Sequence, residues 1–474
     1  MSGVFGCYDI KGSKQNVTRD TYYGIFSLQH RGQESCGIAV NDDGSFLVHK
    51  ASGLVTDVFD EVTLSALAGT CAIGHTRGGS PRENGTDAIQ PISIKSRVGN
   101  IALTSDSVIM NANKIRDGLK DQGAIFQTNT DSEIILSLFS RNRIRTEDCE
   151  HAILETMKEI HGVYAMVFMT EDKMIGVRDP YGIRPLILGK LGDKYYISSE
   201  SCALDAIGCE TVRDFLPGEI ITISKDGMSS ILYDEAVEKK DAKVCVFEYV
   251  YVARPDSVID KMSIFDSRYR VGMALAKESP ADVDLVIGAP DSGNAAAEGF
   301  AAGMGIQYGA GLLKNRYVGR TFIKSTQQQR ELAVRMKFAA LKTAIKDKKI
   351  AIVDDSLVRG TTTKHIISFL RENGAKEVHV RLASPPVKFG CCYGVNASTE
   401  AELPASTKTV EEIREMIGAD SLAYISLESL RASLNTIDCG VCSACFDGNF
   451  IAGKPEDDEE SIHKVKYNLY CFAR

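Results

Sequence analysis

Hydrophobic and polar positions follow different patterns in the two halves of the chain. From Gly3 to about residue 233 the apolar segments are short and alternating, as in the stretch EIITISKDGMSSILYD. There Lys225-Asp226-Gly227 separates two alternating runs, which predicts a β-hairpin. Helical periodicity appears in between, in DSEIILSLFSRN and CEHAILETMKEIHG. The first half is therefore predicted to be antiparallel sheet covered by helices.

Beyond the polar run YDEAVEKKDAK, at 233–243, the order of elements becomes strand, loop, helix. VDLVIGAPDSG is an apolar run that ends in a turn, and NAAAEGFAAGMG after it has helical character. The stretch from Lys348 to Pro386 repeats this order and adds a returning strand. Such alternation predicts parallel strands with right-handed crossovers, and ligands of these sheets bind beyond the carboxyl ends of the strands.

Composition narrows the class of protein. A length of 474 residues suggests two or three domains, and 44% hydrophobic with 25% charged residues is ordinary for a globular protein. The net charge of -8 argues against a general nucleic-acid or membrane surface. With no apolar run of about 20 residues and no signal-peptide pattern, the expected location is the cytoplasm. Thirteen cysteines in a reducing compartment then indicate thiols, with a metal where they cluster.

The stretch IVDDSLVRGTTTK, at 352–364, carries the strongest candidate chemistry. Its strand is predicted at Ile350–Val353, and the helix is predicted to begin within Thr361–Thr363. Backbone N–H groups of a glycine-containing turn at a helix N-terminus form an anion site, and the threonine hydroxyls add donors. Asp354 and Asp355 would repel phosphate, so they are expected to bind sugar hydroxyls or a hydrated Mg²⁺. The alternative is an ordinary turn with capping threonines and two solvated aspartates.

The full pattern, an apolar strand followed by D-D-S-x-V-R-G-T-T, closely resembles the phosphoribosyl diphosphate (PRPP) signature of type I phosphoribosyltransferases. The resemblance implies a parallel-sheet phosphoribosyltransferase domain. It also implies PRPP binding by a run of residues at the strand end: Asp354, Asp355, Ser356, Val358, Arg359, Gly360, Thr361 and Thr362.

Two further motifs resemble the glutamine-dependent amidophosphoribosyltransferases. GAPDSGNAAAEGF is similar to that family's diphosphate loop and implies PRPP binding by Asp291 and Ser292, with Mg²⁺ held by Ser292, Asp354 and Asp355. The basic run KNRYVGRTFI resembles the family's mobile loop and implies that Lys314, Arg316 and Arg320 neutralise the leaving diphosphate, although such a run is more often a solvated charged face. TYYGIFSLQHRGQES and GHTRG extend the resemblance to the family's glutaminase domain.

The resemblance covers Gly3 to about Gly448 and implies an architecture and a reaction. Residues 1–233 would form an N-terminal-nucleophile hydrolase αββα sandwich, 245–448 the phosphoribosyltransferase domain with an iron–sulfur segment, and 449–474 a tail. The reaction would convert PRPP and ammonia, from glutamine or free, to 5-phosphoribosylamine in purine synthesis. Purine nucleotide feedback inhibitors and a homo-oligomer are expected. A PRPP-binding regulator without turnover, or a phosphoribosyltransferase with another acceptor, remains an alternative.

The cysteines support the iron–sulfur branch of this family. CGVCSAC alone fits a zinc knuckle or spare thiols as well. Cys245 and Cys391 lie where iron–sulfur members place ligands, so the resemblance implies a [4Fe–4S] cluster held by Cys245, Cys391, Cys439 and Cys442. Cys392 and Cys445 are extra thiols, and either could replace the neighbouring predicted cysteine as a cluster ligand.

The glutaminase half departs from the family at its reaction centre. Where the family exposes an N-terminal cysteine, this chain has Ser2, which could still act as a terminal hydroxyl nucleophile. Where the family has the oxyanion loop H-N-G-N, this chain has Ser105, Asp106, Ser107 and Val108. Arg77 and Asp131 are retained and could contact a glutamine. The prediction is a remnant glutamine pocket, comprising Arg77, Asp106, Ser107 and Asp131, that does not hydrolyse glutamine.

Overall fold

The part of the chain that the computed structural model describes comprises residues 1–14, 16–78, 86–233, 242–315, 317, 335–395, 399–434 and 440–455. Most of the predicted domain boundary at 233–243 and most of the predicted tail therefore lie outside the described residues. In the described ranges no helix has the length and apolar character needed to cross a membrane.

Two antiparallel sheets pack face to face in the first half of the chain. The larger sheet has seven strands, in the order Glu210–Asp214, Ile187–Leu191, Lys194–Ser198, Ser2–Asp9, Cys71–Arg77, Ser35–Asp42 and Ser45–Ser52. The smaller has six, in the order Gly227–Leu232, Glu219–Ser224, Lys173–Arg178, Gly162–Met169, Gly99–Ile109 and Ile92–Ser96. Val4 and Ile73 of the larger sheet share a buried cluster with Val167 and Ile223 of the smaller one. Burial of this shared face holds the two sheets together.

Helices cover the outer face of each sheet. Ile134, Leu138 and Phe139 project from one side of the helix Asp131–Arg143 and pack with Leu103 and Phe168 of the smaller sheet. The helices on this side are Ala112–Asp121, Asp131–Arg143 and Cys149–Glu159. The helices on the larger sheet's side are Val17–Ser27, Val55–Val58, Glu61–Ala66 and Ser201–Asp205, and a short 3-10 turn spans Thr86–Ala88. The predicted αββα sandwich, its two helices and the hairpin at Lys225-Asp226-Gly227 are confirmed.

A four-stranded parallel sheet forms the centre of the second half. Its order is Leu285–Gly288, Lys349–Asp354, Glu377–Leu382 and Ser421–Tyr424. Alternate residues of its second strand face opposite layers: Ile350 and Ile352 pack on one side, and Ala351 and Val353 on the other. This strand is apolar throughout because helices cover both faces, as is usual for parallel sheets. Those helices are Ile264–Glu278 and Asn294–Met304 on one face, and Thr361–Glu372 and Val410–Ile417 on the other.

Smaller elements complete the second half. Three two-stranded sheets pair Val244–Cys245 with Val441–Cys442, Val258–Ile259 with Met262–Ser263, and Leu312–Lys314 with Phe338–Ala340. The short helical segments are Glu248–Val252, which is a π-helix, Lys342–Ile345, Glu400–Glu402, Pro404–Thr407, Leu427–Ser433 and Ala444–Asp447. Since Val244–Cys245 follows the sandwich in the chain, its parallel pairing with Val441–Cys442 ties the C-terminal segment to the junction of the two halves.

Candidate functional site

The predicted phosphate loop connects the strand Lys349–Asp354 to the helix Thr361–Glu372. Gly360 precedes the helix with a φ of 74°, a left-handed conformation that glycine adopts without steric cost. Thr361 and Thr362 are exposed at the helix N-terminus, whereas Thr363 is buried. The strand, turn and helix therefore lie where the sequence predicted them, and the backbone N–H groups of the first helical turn face outward as an anion site.

The two carboxylates at the end of this strand lie against hydroxyl groups. The Ser292 hydroxyl donates to Asp355, and the Ser356 hydroxyl donates to Asp355 Oδ1 over 2.6 Å. Asp354 Oδ1 accepts from the Asp355 N–H at 2.9 Å. Burial, and then the neighbouring Asp355 carboxylate, raises the pKa of Asp354 well above its usual range, and burial likewise raises the pKa of Asp355. Among the described residues neither carboxylate forms an ion pair, so a bound cation would relieve their repulsion.

The predicted diphosphate loop follows the neighbouring strand, Leu285–Gly288. Its Asp291 carboxylate pairs with Lys314 Nζ at 2.6 Å, across a cleft of about 230 Å³ that Asn294 and Tyr308 also line. Lys314 is half-buried, and its cationic end lies on the same side of the sheet as the Asp354 and Asp355 pair. Arg316 and Arg320, predicted for the same role, lie outside the described residues.

The remaining residues of the signature contact the protein itself. Arg359 forms an ion pair with Glu402 at 3.1 Å, and Val358 packs against the hydrophobic core. Their predicted PRPP contacts stay predictions. Val358 fixes the loop by packing, and Arg359 anchors it from the outside.

Arg268 is a neighbour of the aspartates that the sequence patterns did not single out. It lines a small cavity together with Ser292 and Asp355, and it donates from Nε to Tyr249 O at 2.6 Å and from Nη2 to Ala253 O at 2.8 Å. Burial lowers the pKa of Arg268 to about 10, and the Asp355 carboxylate counteracts this effect. Its signal in the sequence is weak, because a second arginine, Arg270, lies two positions away and no motif distinguishes the two.

The N-terminal pocket has a different charge pattern. Asp106 Oδ1 accepts from the Ser2 N–H at 3.1 Å, and Asp106 Oδ2 lies 3.4 Å from Arg184 Nε and 4.0 Å from Arg31 Nη2. Burial alone would raise the pKa of Asp106. Arg184, the N-terminal amine and Arg31 outweigh burial and hold this pKa below its usual range. Asp106 is therefore an ionised carboxylate that protein cations already neutralise.

The segment predicted to replace the oxyanion loop is regular strand. Ser105, Asp106 and Ser107 lie inside Gly99–Ile109, paired with Met166, Ala165 and Tyr164 of the next strand. The Ser105 N–H donates to Gln90 Oε1 at 2.7 Å, and the Ser105 hydroxyl contacts those of Ser107 and Ser132 at 3.0 and 2.8 Å. The main-chain N–H and the hydroxyl of Ser105 thus already have hydrogen-bond partners within the protein, and neither is available to donate to a substrate.

Arg31, Glu200 and Glu248 join this pocket to the second half of the chain. Arg31 donates from Nη1 to Glu200 at 2.6 Å and from Nη2 to Glu248 at 2.7 Å, and all three side chains are buried. Arg31 Nε also donates to Ser2 O at 3.1 Å. Sequence reasoning did not identify this network. Its signal was Glu248, a single charge in the apolar run VCVFEYVYVA, because such a residue has to be paired when buried.

The other predicted pocket residues lie close by. Arg77 is buried and pairs in register with Ser2, and Asp131 Oδ2 accepts from the Ile109 N–H at 2.8 Å. His75 is buried and donates from Nε2 to the main-chain oxygen of Ser105 over 3.1 Å, and burial lowers its pKa to about 3, so its ring is neutral. The structure therefore brings Ser2, Arg77 and Asp106 together around one strand end, with Asp131 at the far end of the Asp106 strand.

Four cysteines approach one another at the junction of the two halves. Cys245 lies beside Cys442 in the parallel pairing, and the charges of Cys391 and Cys442 both act on Cys245. The charges of Cys245, Cys391 and Cys442 likewise raise the pKa of the Cys445 thiol. Burial raises the pKa of Cys245 and Cys445 well above the usual value. Cys439, predicted as a ligand, lies outside the described residues, and within the described ranges no three Cys, His or acidic side chains converge closely enough to enclose an ion.

Known proteins resemble this chain over nearly its full length. Residues 82–206 match the glutamine amidotransferase domain. The amidophosphoribosyltransferase of Methanocaldococcus jannaschii is 44% identical over 462 residues, which span 95% of this chain and 97% of that protein. The amidophosphoribosyltransferase of Bacillus subtilis is 42% identical over 453 residues, spanning 94% of this chain and 93% of that protein.

Solved structures share the architecture. An allosteric regulatory enzyme of purine biosynthesis superposes with a TM-score of 0.88 at 41% identity, covering 94% of this chain and 96% of its own. The B. subtilis glutamine PRPP amidotransferase, solved with ADP and GMP, gives a TM-score of 0.87 at 42% identity, with 94% and 97% covered. Identity of this extent, together with the two-sheet sandwich and the parallel-sheet domain, shows that the chain belongs to the amidophosphoribosyltransferase family.

Proposed function

We propose that this protein converts PRPP to 5-phosphoribosylamine, the first step of purine synthesis, and takes the nitrogen from ammonia that it does not itself release from glutamine. The observation that carries the transferase assignment is the pair Asp354 and Asp355, adjacent at a parallel strand end, with raised pKa values and no ion pair among the described residues. Family membership supports the reaction, since the relatives are amidophosphoribosyltransferases.

The chain's contribution to this reaction is positioning and charge neutralisation. The backbone N–H groups of the Gly360 turn and the Thr361 and Thr362 hydroxyls would bind the 5-phosphate of PRPP. Asp354 and Asp355 would accept hydrogen bonds from the ribose hydroxyls. The ammonia nitrogen forms a bond to C1 of the ribose while the bond from C1 to diphosphate breaks, and the diphosphate leaves with the electron pair. The nitrogen then loses a proton to solvent.

Mg²⁺ fits this site because two carboxylates and the Ser292 hydroxyl supply hard oxygen donors, and neither carboxylate forms an ion pair among the described residues. Ser292, Asp354 and Asp355 would hold the ion, directly or through water, and it would supply charge stabilisation of the leaving diphosphate. Lys314 lies across the neighbouring cleft and would add a second positive charge on the diphosphate side.

The N-terminal pocket supports the part of the proposal that concerns the nitrogen source. An oxyanion that forms beside Ser2 would meet the Asp106 carboxylate, which lies 3.1 Å from the Ser2 nitrogen. Loss of a single oxyanion donor typically costs about a hundred- to a thousandfold in rate, and a carboxylate at the same place adds repulsion. Free ammonia or a separate glutaminase would then be the source of nitrogen.

One pair of assays tests both parts of the proposal. Diphosphate release from PRPP and Mg²⁺ is measured with ammonium chloride and, in parallel, with glutamine. We expect release with ammonium only, and we expect Ser2→Ala to leave the ammonium-dependent rate unchanged. Glutamine hydrolysis at a rate comparable to ammonium-dependent turnover, abolished in Ser2→Ala, would contradict the nitrogen-source assignment. Tight PRPP binding without release under either condition would instead indicate a regulator.

We also propose that the cysteine cluster holds a [4Fe–4S] centre and that Cys245, Cys391, Cys442 and Cys445 are its ligands. The support is that Cys245 and Cys442 are register partners and that the Cys445 thiol interacts electrostatically with Cys245, Cys391 and Cys442; the predicted ligand Cys439 lies outside the described residues. Four thiolates are the usual ligand set of such a centre, which here would crosslink the C-terminal segment to the junction of the two halves.

Cys445→Ser and Cys439→Ser form a matched pair for this assignment. We expect anaerobically purified wild-type protein to contain about four iron atoms per chain and to be brown. Cys445→Ser should lose iron and soluble yield, whereas Cys439→Ser should retain both. The reverse result would restore Cys439 as the ligand, and zinc in the wild-type protein would refute the iron–sulfur assignment.

A further inference from the structure

A groove in the first half of the chain lies apart from both candidate pockets. The helix Ala112–Asp121 forms one of its walls, the 3-10 turn Thr86–Ala88 forms a second, and the loop 126–129 forms the third. Its volume is about 240 Å³, below the roughly 300–1,000 Å³ of pockets for drug-sized ligands, so it suits a smaller molecule. The described residues that line it include none of those assigned to the remnant glutamine pocket.

Arg116 is a cation of this groove whose donors are only partly used. Its Nη1 donates to Asn129 Oδ1 and its Nη2 to Thr130 O, both over 3.3 Å, which exceeds the usual range of about 2.7–3.2 Å. Its Nε is buried and has no hydrogen-bond partner in the part of the chain that the structure describes. The guanidinium also lies over the Phe126 ring, 5.6 Å from the ring centre. Because both acceptors are neutral oxygens, these contacts leave the charge of Arg116 unbalanced.

A second cation and one carboxylate stand on the walls of the groove. Lys120 lies one helical turn after Arg116 and pairs with Asp117 at 3.6 Å, and both side chains of this pair are exposed. Exposed pairs of this kind are weak, so Lys120 can turn to another anion. Asp87 is exposed on the 3-10 turn. The groove therefore presents two positive charges on one wall and one negative charge on another.

A second polar cavity in the same half, of about 150 Å³, has a different arrangement. There Lys173 Nζ donates to both carboxylate oxygens of Glu150, at 2.9 and 3.1 Å. Asp148 accepts from the His151 N–H at 2.8 Å. These charged groups have close partners within the protein, whereas the Arg116 guanidinium has only long contacts to neutral oxygens. The Arg116 groove is thus the better candidate for a charged ligand.

The loop that forms the third wall is fixed without a ligand. The buried Glu133 carboxylate accepts from the N–H groups of Gln127 and Thr128, both at 2.7 Å, and from the Thr128 hydroxyl at 2.7 Å. The Thr130 hydroxyl accepts in turn from the Glu133 N–H at 3.3 Å. Since the loop is already ordered, a ligand would lose little free energy in ordering it.

We propose that this groove binds a free α-amino acid, with its carboxylate on Arg116 and Lys120 and its ammonium group on Asp87. The charges select this class. A simple amine would meet two cations, and a phosphate or dicarboxylate would meet the Asp87 carboxylate, whereas a zwitterion matches both walls. The inference goes beyond the transferase reaction and does not depend on the nitrogen source.

Ligand-observed NMR on the full-length protein tests the class of ligand. The probes are L-alanine, L-serine and L-glutamate, with propionate and ethylamine as analogues of alanine that each carry one of its two charges. We expect at least one amino acid to bind, and propionate and ethylamine to bind about tenfold more weakly than alanine or not at all. Absence of binding by all three amino acids would overturn the proposal. Inorganic phosphate that binds more tightly than they do, and is lost in Arg116→Gln, would overturn the zwitterion assignment.

Variants locate the site. Arg116→Gln and Lys120→Gln should each weaken amino-acid binding severalfold or more, with the larger loss in Arg116→Gln. Lys158→Gln is the matched control for Lys120→Gln, because Lys158 also pairs with a carboxylate three positions earlier on an exposed helix face, Glu155 at 3.1 Å. If Arg116→Gln does not fold, the comparison of the two lysine variants still decides. Equal binding in these two, or binding that is lost in Arg77→Gln and kept in Arg116→Gln, would place the amino acid elsewhere and overturn the inference.

Discussion

Each of the two candidate pockets contains a buried carboxylate centre, but the protein neutralises only one of them. At the strand end of the second half, Asp354 and Asp355 have raised pKa values, and among the described residues they form no ion pair. In the first half, the pKa of Asp106 is lowered because Arg184, the N-terminal amine and Arg31 outweigh its burial. Protein cations therefore already neutralise the carboxylate of the first pocket, and our proposal assigns a bound cation to the second.

This difference indicates which pocket retains its chemistry. Burial of an ionised carboxylate is unfavourable unless a cation pairs with it, so two adjacent carboxylates without an ion pair, such as Asp354 and Asp355, are typical of a ligand site. A carboxylate enclosed by arginines, in contrast, is a structural element whose removal costs stability. The same substitution, Asp to Asn, should therefore have opposite effects on folding in the two pockets.

The largest expected effect is on catalysis. In the variant that carries both Asp354→Asn and Asp355→Asn, PRPP-dependent diphosphate release should fall by about a thousandfold or more, because several kcal/mol of charge stabilisation is lost. Mg²⁺-dependent PRPP binding, measured by calorimetry, should weaken as well. Asp347→Asn, at the opposite end of the same strand, is the control and should behave as wild type. Unchanged PRPP binding in the double variant would remove the site assignment.

The next effect is a loss of stability in the N-terminal pocket. Asp106→Asn leaves Arg184 without its carboxylate and should lower the free energy of unfolding by about 3 kcal/mol at neutral pH. Because the folded-state pKa of Asp106 is depressed, its contribution is present above the unfolded pKa of about 4 and is lost as the pH falls through the folded value. Denaturant unfolding of both proteins at pH 7 and at a pH below the folded pKa of Asp106 checks this, and the difference between them should disappear at the lower pH.

Two outcomes would contradict the structural role of Asp106. The Asp106→Asn variant would be as stable as wild type at pH 7, or it would gain glutamine hydrolysis. Either outcome would mean that Asp106 belongs to a ligand pocket rather than to the fold. Asp87→Asn serves as the control for a general effect of removing a negative charge. Asp87 lies in the same half of the chain but makes no ion pair with Arg31 or Arg184 among the described residues.

A smaller effect of opposite sign is expected at the transferase site. Without Mg²⁺ and PRPP, Asp354→Asn with Asp355→Asn should raise the free energy of unfolding at pH 7 by roughly 1–2 kcal/mol, because two repelling buried carboxylates become neutral. The raised folded pKa values mean that wild-type stability is present below the unfolded pKa and is lost as the pH rises through them. The gain should therefore vanish at acidic pH in thermal unfolding scans, and a loss of stability at pH 7 would contradict it.

The sequence was sufficient to predict the strand, turn and helix on which the candidate PRPP site lies. Periodicity located the strand Lys349–Asp354 and the helix Thr361–Glu372, since local spacing determines them. It did not identify the contacts of Arg31 and Arg184, whose partners Glu248 and Tyr393 are more than 200 positions away. Such pairs depend on how the two halves pack, which a local pattern does not encode.

The smallest expected effect concerns the part of the site that uses backbone rather than charge. Gly360→Ala places a side chain at a φ of 74°, where the new Cβ lies 2.8 Å from the flexible end of Met416 and 3.4 Å from Ile417. The left-handed conformation should lower the free energy of unfolding by about 1 kcal/mol. If the Gly360 turn presents N–H groups to the 5-phosphate, the same change should also weaken PRPP binding severalfold.

Gly418→Ala separates the two consequences of this substitution. Gly418 has a φ of 77°, ends the helix Val410–Ile417, and has no atom near its would-be Cβ, so it should lose similar stability with no change in PRPP affinity. Calorimetric PRPP binding and denaturant unfolding of both variants measure the difference. Equal PRPP affinity in the two variants would show that the Gly360 backbone does not bind the phosphate. PRPP recognition would then depend on Asp354 and Asp355 alone. The two pockets would differ only in whether protein cations neutralise their carboxylates.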